Sequence, residues 1–392
     1  MNILIVSDTY FPSMGGAEVH VDELARHLRA AGHRVRLFVA EPKPMEGEAD
    51  IVRVTWKRNF LEILSRLDGM VRGERPDIIA AHYSYRLATL AGIVARVRGI
   101  PMTVTLHGLG TLPEPGAKPL ARIKAAVYRR ASLAAATHVI ATSQDMLDAV
   151  PWVSKKTTVV TNGADAVRFD PARLAADPEA AALRAGAAGR KVLLTVRRLN
   201  PKCGIQYLVE AMPAIVRRHP DVLWLMVGTG RLEGQIRERI RALGLERHVE
   251  MAGLVSNMDA PRWFSAADVV AFPSTAESTS ISCIEAMLMA KPVVASAVGG
   301  LVELLGRDGS RGRLVKLVDW GHSNYEAPEV SAMPPERFAF LADAISDLLD
   351  DAGARARIGV EARAFALAHF TWDVVAAKTV GIYERCVRRP AL

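Results

Sequence analysis

Two glutamates, Glu277 and Glu285, stand eight positions apart in settings that differ sharply. Glu277 lies in the Ser/Thr-rich stretch "STAESTS" (274–280), and Glu285 lies on the apolar run "ISCIEAMLMA" (281–290). The preceding "DVVAF" (268–272) reads as a buried strand that ends at Pro273, and "PVVAS" (292–296) reads as the next one. A polar loop followed by a helix from about Ile281 to Ala290 is predicted between them. Ser280 or Ser282 is placed to cap that helix. The first-turn N–H groups have no partner inside the helix, and an anion such as phosphate suits them. Glu285, one turn in, would repel a phosphate but accept hydrogen bonds from sugar hydroxyls. Glu277 offers the same to a second polyhydroxyl group. Ribose, diphosphate and hexose would together fill such a site. The plainer alternative is a surface glutamate and an acid that complements a helix dipole.

Three other stretches carry charge or glycine where a ligand could use them. "TVRRLNPKCG" (195–204) places Arg197, Arg198 and Lys202 just after a strand, where cations suit a diphosphate or simply face water. "PSMGGAEVH" (12–20) places Gly15 and Gly16 at a helix start, either for close approach of an anion or for a tight turn. "VGTGRLEG" (227–234) imitates a dinucleotide fingerprint, but its last glycine comes one residue late. A nicotinamide-dependent reaction is therefore not expected.

These stretches need a scaffold, and the periodicity supplies one. "NILIVS", "RVRLFVA", "DIIAA", "MTVTLH", "HVIATS" and "TTVVTNG" alternate with amphipathic segments over residues 2–163. The rhythm breaks over the Ala-rich, strandless 164–190, read as the connection between domains. It restarts with "KVLLTV", "VLWLMVG", "HVEMAG", "DVVAFPS", "PVVAS" and "LVKLV". Repeated βαβ units imply an α/β protein with two Rossmann-like, doubly wound parallel sheets. The expected domains are 1–168 and 169–370, followed by a helix over 371–392. Ligands of such sheets bind at the carboxyl ends of the strands, so the cleft between the halves is the expected site. The segment 319–337 reads as a polar, Pro-containing loop.

Composition narrows the partners. Fifty Lys and Arg against 42 Asp and Glu give a net charge of +8, which favours anionic ligands. No nucleic-acid-binding module is recognisable, so nucleic acid is not expected. Three scattered cysteines form no metal or disulfide pattern. The N-terminus lacks a signal-peptide pattern and no apolar run reaches 18 residues, so a cytoplasmic address is expected.

The chain resembles the retaining family-4 glycosyltransferases of the GT-B fold. The likeness is carried by "GGAEVHVDELARHLRAAGH", "VTLHG", "VVTNGADAVRFDP", "VRRLNPKCG", "VGTGRLEGQI", "HVEMAGLV", "AADVVAFPSTAE", the E-x7-E pair, "EAMLMAKPVVAS" and "FTWDVV", in that order along nearly the whole chain. The resemblance implies transfer of a hexosyl group from a UDP- or GDP-linked sugar to an acceptor hydroxyl, without metal or other cofactor. It implies catalytic roles for His107, Glu277, Arg198 and Lys202. His107 would lie beside the donor sugar, Arg198 and Lys202 on the diphosphate, and Glu277 on the sugar hydroxyls. Glu285 would hold the ribose, the backbone of Thr279, Ser280, Ile281 and Ser282 the sugar and phosphate, and Gly253, Leu254 and Val255 the base. Gly15 and Gly16 would approach the phosphates, and the final helix would cross back to the first domain. The chain departs from the family where Ser278, Thr279 and Ser280 replace Gly-Phe-Gly, where Ala290 and Lys291 replace the glycine before the proline, where Arg197 replaces glycine, and where Cys203 replaces the usual lysine. Those departures keep open an inactive sugar-nucleotide binder, or an epimerase on the same scaffold. The basic amphipathic stretch 117–136 is either an ordinary helix with a basic solvent face or a peripheral contact with an anionic membrane, and the resemblance implies a glycan or lipid-linked acceptor.

Overall fold

The computed structural model describes residues 1–12, 15–41, 43, 48–56, 59–83, 85–108, 118–317, 329–330 and 333–388. They divide into two compact units, 1–163 with 372–392, and 164–371. The division falls slightly earlier than the 168/169 boundary drawn from the sequence.

The first unit is built on seven parallel strands: β1 (Asn2–Ser7), β2 (Arg34–Val39), β3 (Ile51–Arg53), β4 (Ile78–His82), β5 (Met102–Leu106), β6 (His138–Ala141) and β7 (Thr157–Val159), in the order β3-β2-β1-β4-β5-β6-β7. Ile3, Leu4, Ile5 and Val6 are all buried, as a strand covered on both faces requires. The helices are α1 (Gly16–Ala30), α2 (Phe60–Glu74), α3 (Arg86–Arg98), α4 (Pro119–Ala135) and α5 (Gln144–Asp148). The sequence reading missed β3, a three-residue edge strand too short to show a period.

The second unit has six parallel strands: β8 (Lys191–Val196), β9 (Val222–Val227), β10 (Val249–Gly253), β11 (Val269–Phe272), β12 (Val293–Ser296) and β13 (Arg313–Val315), in the order β10-β9-β8-β11-β12-β13. Its helices are α6 (Pro171–Ala175), α7 (Pro178–Gly186), α8 (Ile205–Arg218), α9 (Glu233–Ala242), α10 (Ala260–Ala266), α11 (Ile281–Leu288), α12 (Gly299–Leu305), α13 (Pro335–Asp350) and α14 (Ala352–His369). Leu193 and Leu194 enter separate hydrophobic clusters, as alternation across a strand dictates. The last helix, α15 (Trp372–Arg388), belongs to the first unit and packs on α1. No helix of the described residues is long and apolar enough to cross a membrane.

The stretch 164–190 is not a bare connection. Its two prolines start helices rather than break them. Asp170 accepts from Ala172 N–H and Asp177 from Glu179 and Ala180 N–H, each just before a proline at the first helical position. Asp-Pro is thus a capping signal here, where a lone proline reads as a breaker. Of the expected loop over 319–337, residues 319–328 and 331–332 lie outside the described residues.

In both sheets the strand order reverses beside the first strand, between β1 and β4 and between β8 and β11. The chain leaving each switch point is where a doubly wound sheet presents ligand-binding groups. In the second unit, one close approach fixes this region. A Cβ on Gly204, which has φ +73°, would lie 1.7 Å from the Pro273 carbonyl oxygen at the end of β11. Gly204→Ala is expected to cost on the order of 3 kcal/mol, from strained backbone plus overpacking. Gly244→Ala, with similar φ and open space around it, should cost only about 1 kcal/mol. Urea unfolding of the two variants separates the terms; equal losses would contradict the close-packing account.

Candidate active site

The loop after β11 is polar, yet Ser274, Thr275, Thr279 and Ser280 are all buried. Buried polar groups need partners, and this loop has them. Thr275 N–H donates to the Lys202 carbonyl (2.9 Å), and Gly300 N–H donates to the Glu277 carbonyl (3.1 Å). A Cβ on Gly300 would lie 1.7 Å from the Ser278 carbonyl oxygen, so α12 presses against the loop through bare backbone. Of the two serines placed to cap α11, Ser280 does so, accepting from Cys283 N–H (3.3 Å).

The cation that meets this loop is Arg197. Its Nη1 donates to Ser280 Oγ (3.0 Å), and its Nη2 donates to Ser274 Oγ (2.8 Å) and to the Glu277 carboxylate. Burial opposes the charge on Arg197, but Glu277 beside it holds the guanidinium above its ordinary pKa. Arg198 is exposed, and its side chain makes no hydrogen bond among the described residues; Lys202, four positions on, is half-buried. Glu285 sits in the second turn of α11. Burial pushes its carboxyl up to about 7, against the opposing pull of Arg168 and of the Ser282 hydroxyl. Ile281 and Ser282 form the half-buried first turn of the helix. Gly253 ends β10 with φ +71°; Leu254 after it is exposed, and Val255 packs on the core. Glu277, Arg198, Lys202, Glu285 and the residues from Thr279 to Ser282 are thus gathered at one end of the second sheet, where neutral hydroxyls and an anion could be held together.

In the first unit, His107 follows β5 and belongs to a cluster. His107 Nε2 lies 2.7 Å from His82 Nδ1, with the rings stacked, and the His20 ring lies 4.6 Å from that of His107. His20 Nδ1 meets Asn162 Oδ1 at 2.8 Å. An amide oxygen only accepts, so His20 carries its proton on Nδ1 and leaves Nε2 as a lone pair. Burial lowers the His20 pKa to about 4 and holds His82 and His107 well below the ordinary value, so all three rings are neutral. Their nitrogens lie within 4.8 Å of one another, making them the set among the described residues that could hold a metal ion. At the start of α1, Gly15 is extended, and the side chain of the buried Glu18 turns back over it; a Cβ on Gly15 would lie 2.6 Å from Glu18 Oε2. This carboxylate shares the helix end where Gly15 and Gly16 were expected to meet phosphate.

The reading by sequence missed His20, His82 and the role of Arg197. His82 ends β4 as His107 follows β5, so the strand-end rule could have found it. His20 sits on a helical face whose other members are core, and nothing in the spacing marks it.

These buried rings give the protein a pH signature. The His20 pKa is depressed in the folded state, so lowering the pH below about 6.5 protonates the unfolded chain first, and stability is lost as pH falls toward 4. Asp8, raised to about 7 chiefly by burial, acts in the opposite direction in that window. The difference between variants therefore isolates the histidine. Between pH 6.5 and 5, His20→Gln should remove about 2 kcal/mol of the acid-side loss, read from urea midpoints. An unchanged slope would contradict the assignment.

Two family models match the chain in sequence: Glycosyltransferase Family 4 over residues 14–168 and Glycosyl transferases group 1 over residues 190–323. A D-inositol 3-phosphate glycosyltransferase of Kineococcus radiotolerans is 29% identical, covering 95% of this chain and 91% of that one. An MMP alpha-(1->4)-mannosyltransferase of Mycolicibacterium hassiacum is 26% identical over the whole of both chains. Among solved structures, Anabaena HepE in complex with UDP has a TM-score of 0.78 at 23% identity, covering 98% of this chain and all of that one. Sucrose-phosphate synthase of Thermosynechococcus elongatus has a TM-score of 0.75 at 24% identity, covering 98% and 99%. With two parallel-sheet α/β units and both family models in chain order, the protein belongs to the family-4 glycosyltransferases of GT-B fold.

Proposed function

We propose that the protein transfers a hexosyl group from a UDP- or GDP-linked sugar to an acceptor hydroxyl, with retention at the anomeric carbon and without a metal ion. The observation that carries this reading is the end of the second sheet, where a capped helix start lies between Glu277 and Glu285 after β11 and the exposed Arg198 follows the paired strand β8. Relatives named as sugar transferases, and a fold neighbour solved with UDP, are consistent with it.

On this reading Glu285 accepts the ribose hydroxyls and Glu277 those of the hexose. The bond from the anomeric carbon to the diphosphate oxygen breaks, and negative charge develops on the leaving group. Arg198, Lys202 and the first turn of α11 stabilise that charge, a preorganised electrostatic effect. The acceptor attacks from the face the diphosphate leaves, and its proton passes to a leaving phosphate oxygen. His107 meets the donor sugar as a neutral imidazole. Gly253 to Val255 take the base, and Gly15 and Gly16 approach the phosphates.

The acceptor side rests on α4. Leu120, Ile123 and Val127 are exposed at 63%, 61% and 58%, and the exposed Lys118, Arg122, Lys124 and Arg130 surround them. Apolar residues three and four apart among cations suit an anionic lipid surface. We assign this helix to the cytoplasmic face of a membrane carrying a lipid-linked or glycan acceptor.

Arg198→Ala should lower kcat by about 100-fold, the cost of removing one charged donor to the leaving group. Glu285→Ala should weaken donor binding by about 10- to 100-fold. Release of nucleoside diphosphate from a panel of sugar nucleotides reads both; wild-type rates in either variant would sink the residue assignment. Replacing Leu120, Ile123 and Val127 with Ser should abolish sedimentation with acidic-lipid vesicles at low salt. Equal sedimentation of wild type and variant would remove α4 from the account.

A further inference from the structure

Arg197 and Arg198 are neighbours in sequence, and they are spent differently. Strands β8 and β11 are paired in parallel, so the residue just after β8 reaches the loop just after β11. Arg197 uses that reach fully. Its acceptors Ser274, Glu277 and Ser280 lie on the loop, the Cys203 thiol also interacts with it, and its side chain is only 10% exposed. The guanidinium also stands 5.6 Å from the centre of the Phe272 ring. Its backbone is pinned from the other side. Arg197 N–H donates to the Val227 carbonyl (2.9 Å), and Gly228 passes so close that a Cβ there would lie 1.9 Å from Arg197 O.

A guanidinium that binds a diphosphate must present a free fork to it. Both terminal nitrogens of Arg197 are already engaged, and its Nε is buried. Glu277, by contrast, sits with a side chain 15% exposed and one oxygen on Arg197. A carboxylate enclosed to this degree is costly unless paired, and this one is tied at one oxygen by Nη2 while Nη1 of the same guanidinium is fixed on Ser280 Oγ. The contact to Ser280 Oγ ties the same guanidinium to the residue that caps α11.

We propose that Arg197 is the positioning residue of Glu277. It orients the carboxylate, cancels its charge, and locks it to the start of α11, so that a neutral pair reads the donor-sugar hydroxyls. It takes no part in holding the diphosphate, which is left to Arg198. This rests on the donor reading above and adds the residue that sets sugar discrimination within it.

The test is a double-mutant cycle on the full chain with Arg197→Met, Glu277→Gln and the pair together. Calorimetric titration uses UDP with UDP-glucose and GDP with GDP-mannose, and urea unfolding supplies a ligand-free readout. All variants should bind the free diphosphate within about two-fold of wild type. Arg197→Met and Glu277→Gln should each lose at least ten-fold of the preference for the sugar nucleotide over the free diphosphate. The double variant should lose no more than Glu277→Gln alone. It should also unfold at higher urea than Arg197→Met, because the unpaired carboxylate is gone. Arg197→Lys should recover part of the preference. A ten-fold loss of free diphosphate in Arg197→Met would overturn the assignment by making Arg197 a phosphate ligand. Additive losses in the cycle would overturn it by uncoupling the two side chains. A wild type that binds neither diphosphate overturns the donor reading beneath the proposal, and the urea cycle still reports whether the two residues act as one.

Discussion

The loop from Pro273 to Ser280 is held by backbone against backbone, and the arrangement of the second unit follows from that contact. Gly204 lies under the Pro273 carbonyl, and Gly300 lies under that of Ser278. A methyl group at either position would have to push the loop away. Where backbones approach this closely, polar atoms must be paired on the spot, and the hydroxyls of Ser274 and Ser280 are paired with Arg197. The same packing encloses the nearby acids. Burial raises Glu285 to about 7, and Glu277 is compensated by Arg197. One steric constraint thus sets the position, the capping and the charge of the groups assigned to the donor.

The first unit solves a related problem without charge. Three imidazoles are packed into the ends of β4 and β5 and against α1, where burial keeps them neutral. Neutral rings in contact avoid the repulsion that protonated ones would suffer. Trp372, the first residue of α15, closes over His20 with the rings edge to face, and a Cβ on Gly163 would strike its ring at 2.7 Å. The last helix of the chain therefore supports the wall of the histidine cluster. Below pH 6 this arrangement works against itself, a cost accepted for keeping His107 uncharged.

Most of the fold was legible in the sequence because buried parallel strands write themselves as short aliphatic runs between amphipathic helices. The twelve runs expected as strands all appear, while the three-residue β3 carries too little pattern to be seen. The Ala-rich 164–190 is strandless, as read, and its two short helices went unseen because each starts at an Asp-Pro pair whose aspartate caps it. The E-x7-E pair and its loop were readable because spacing alone fixes which strand end and which helix turn they occupy, whereas the choice of Ser280 over Ser282 as the cap came only with the structure. The division of labour between Arg197 and Arg198 was not readable. Consecutive residues leaving a strand point to opposite sides, and only the partner loop decides which one is buried. The histidine cluster was half visible for a similar reason: His107 stood at a strand end within a recognisable motif, while His20 approached it from a helix far away in sequence.

The account centres on the second unit as the holder of a nucleoside diphosphate without metal, and the most direct measurement is a melting-temperature panel. UDP, GDP, ADP, TDP and CDP are each added with a chelator and then with magnesium. UDP or GDP at about 100 times its dissociation constant should stabilise the protein by about 2.7 kcal/mol, equally with chelator and with magnesium. No shift from any of the five, or a shift that appears only with magnesium, would contradict the account.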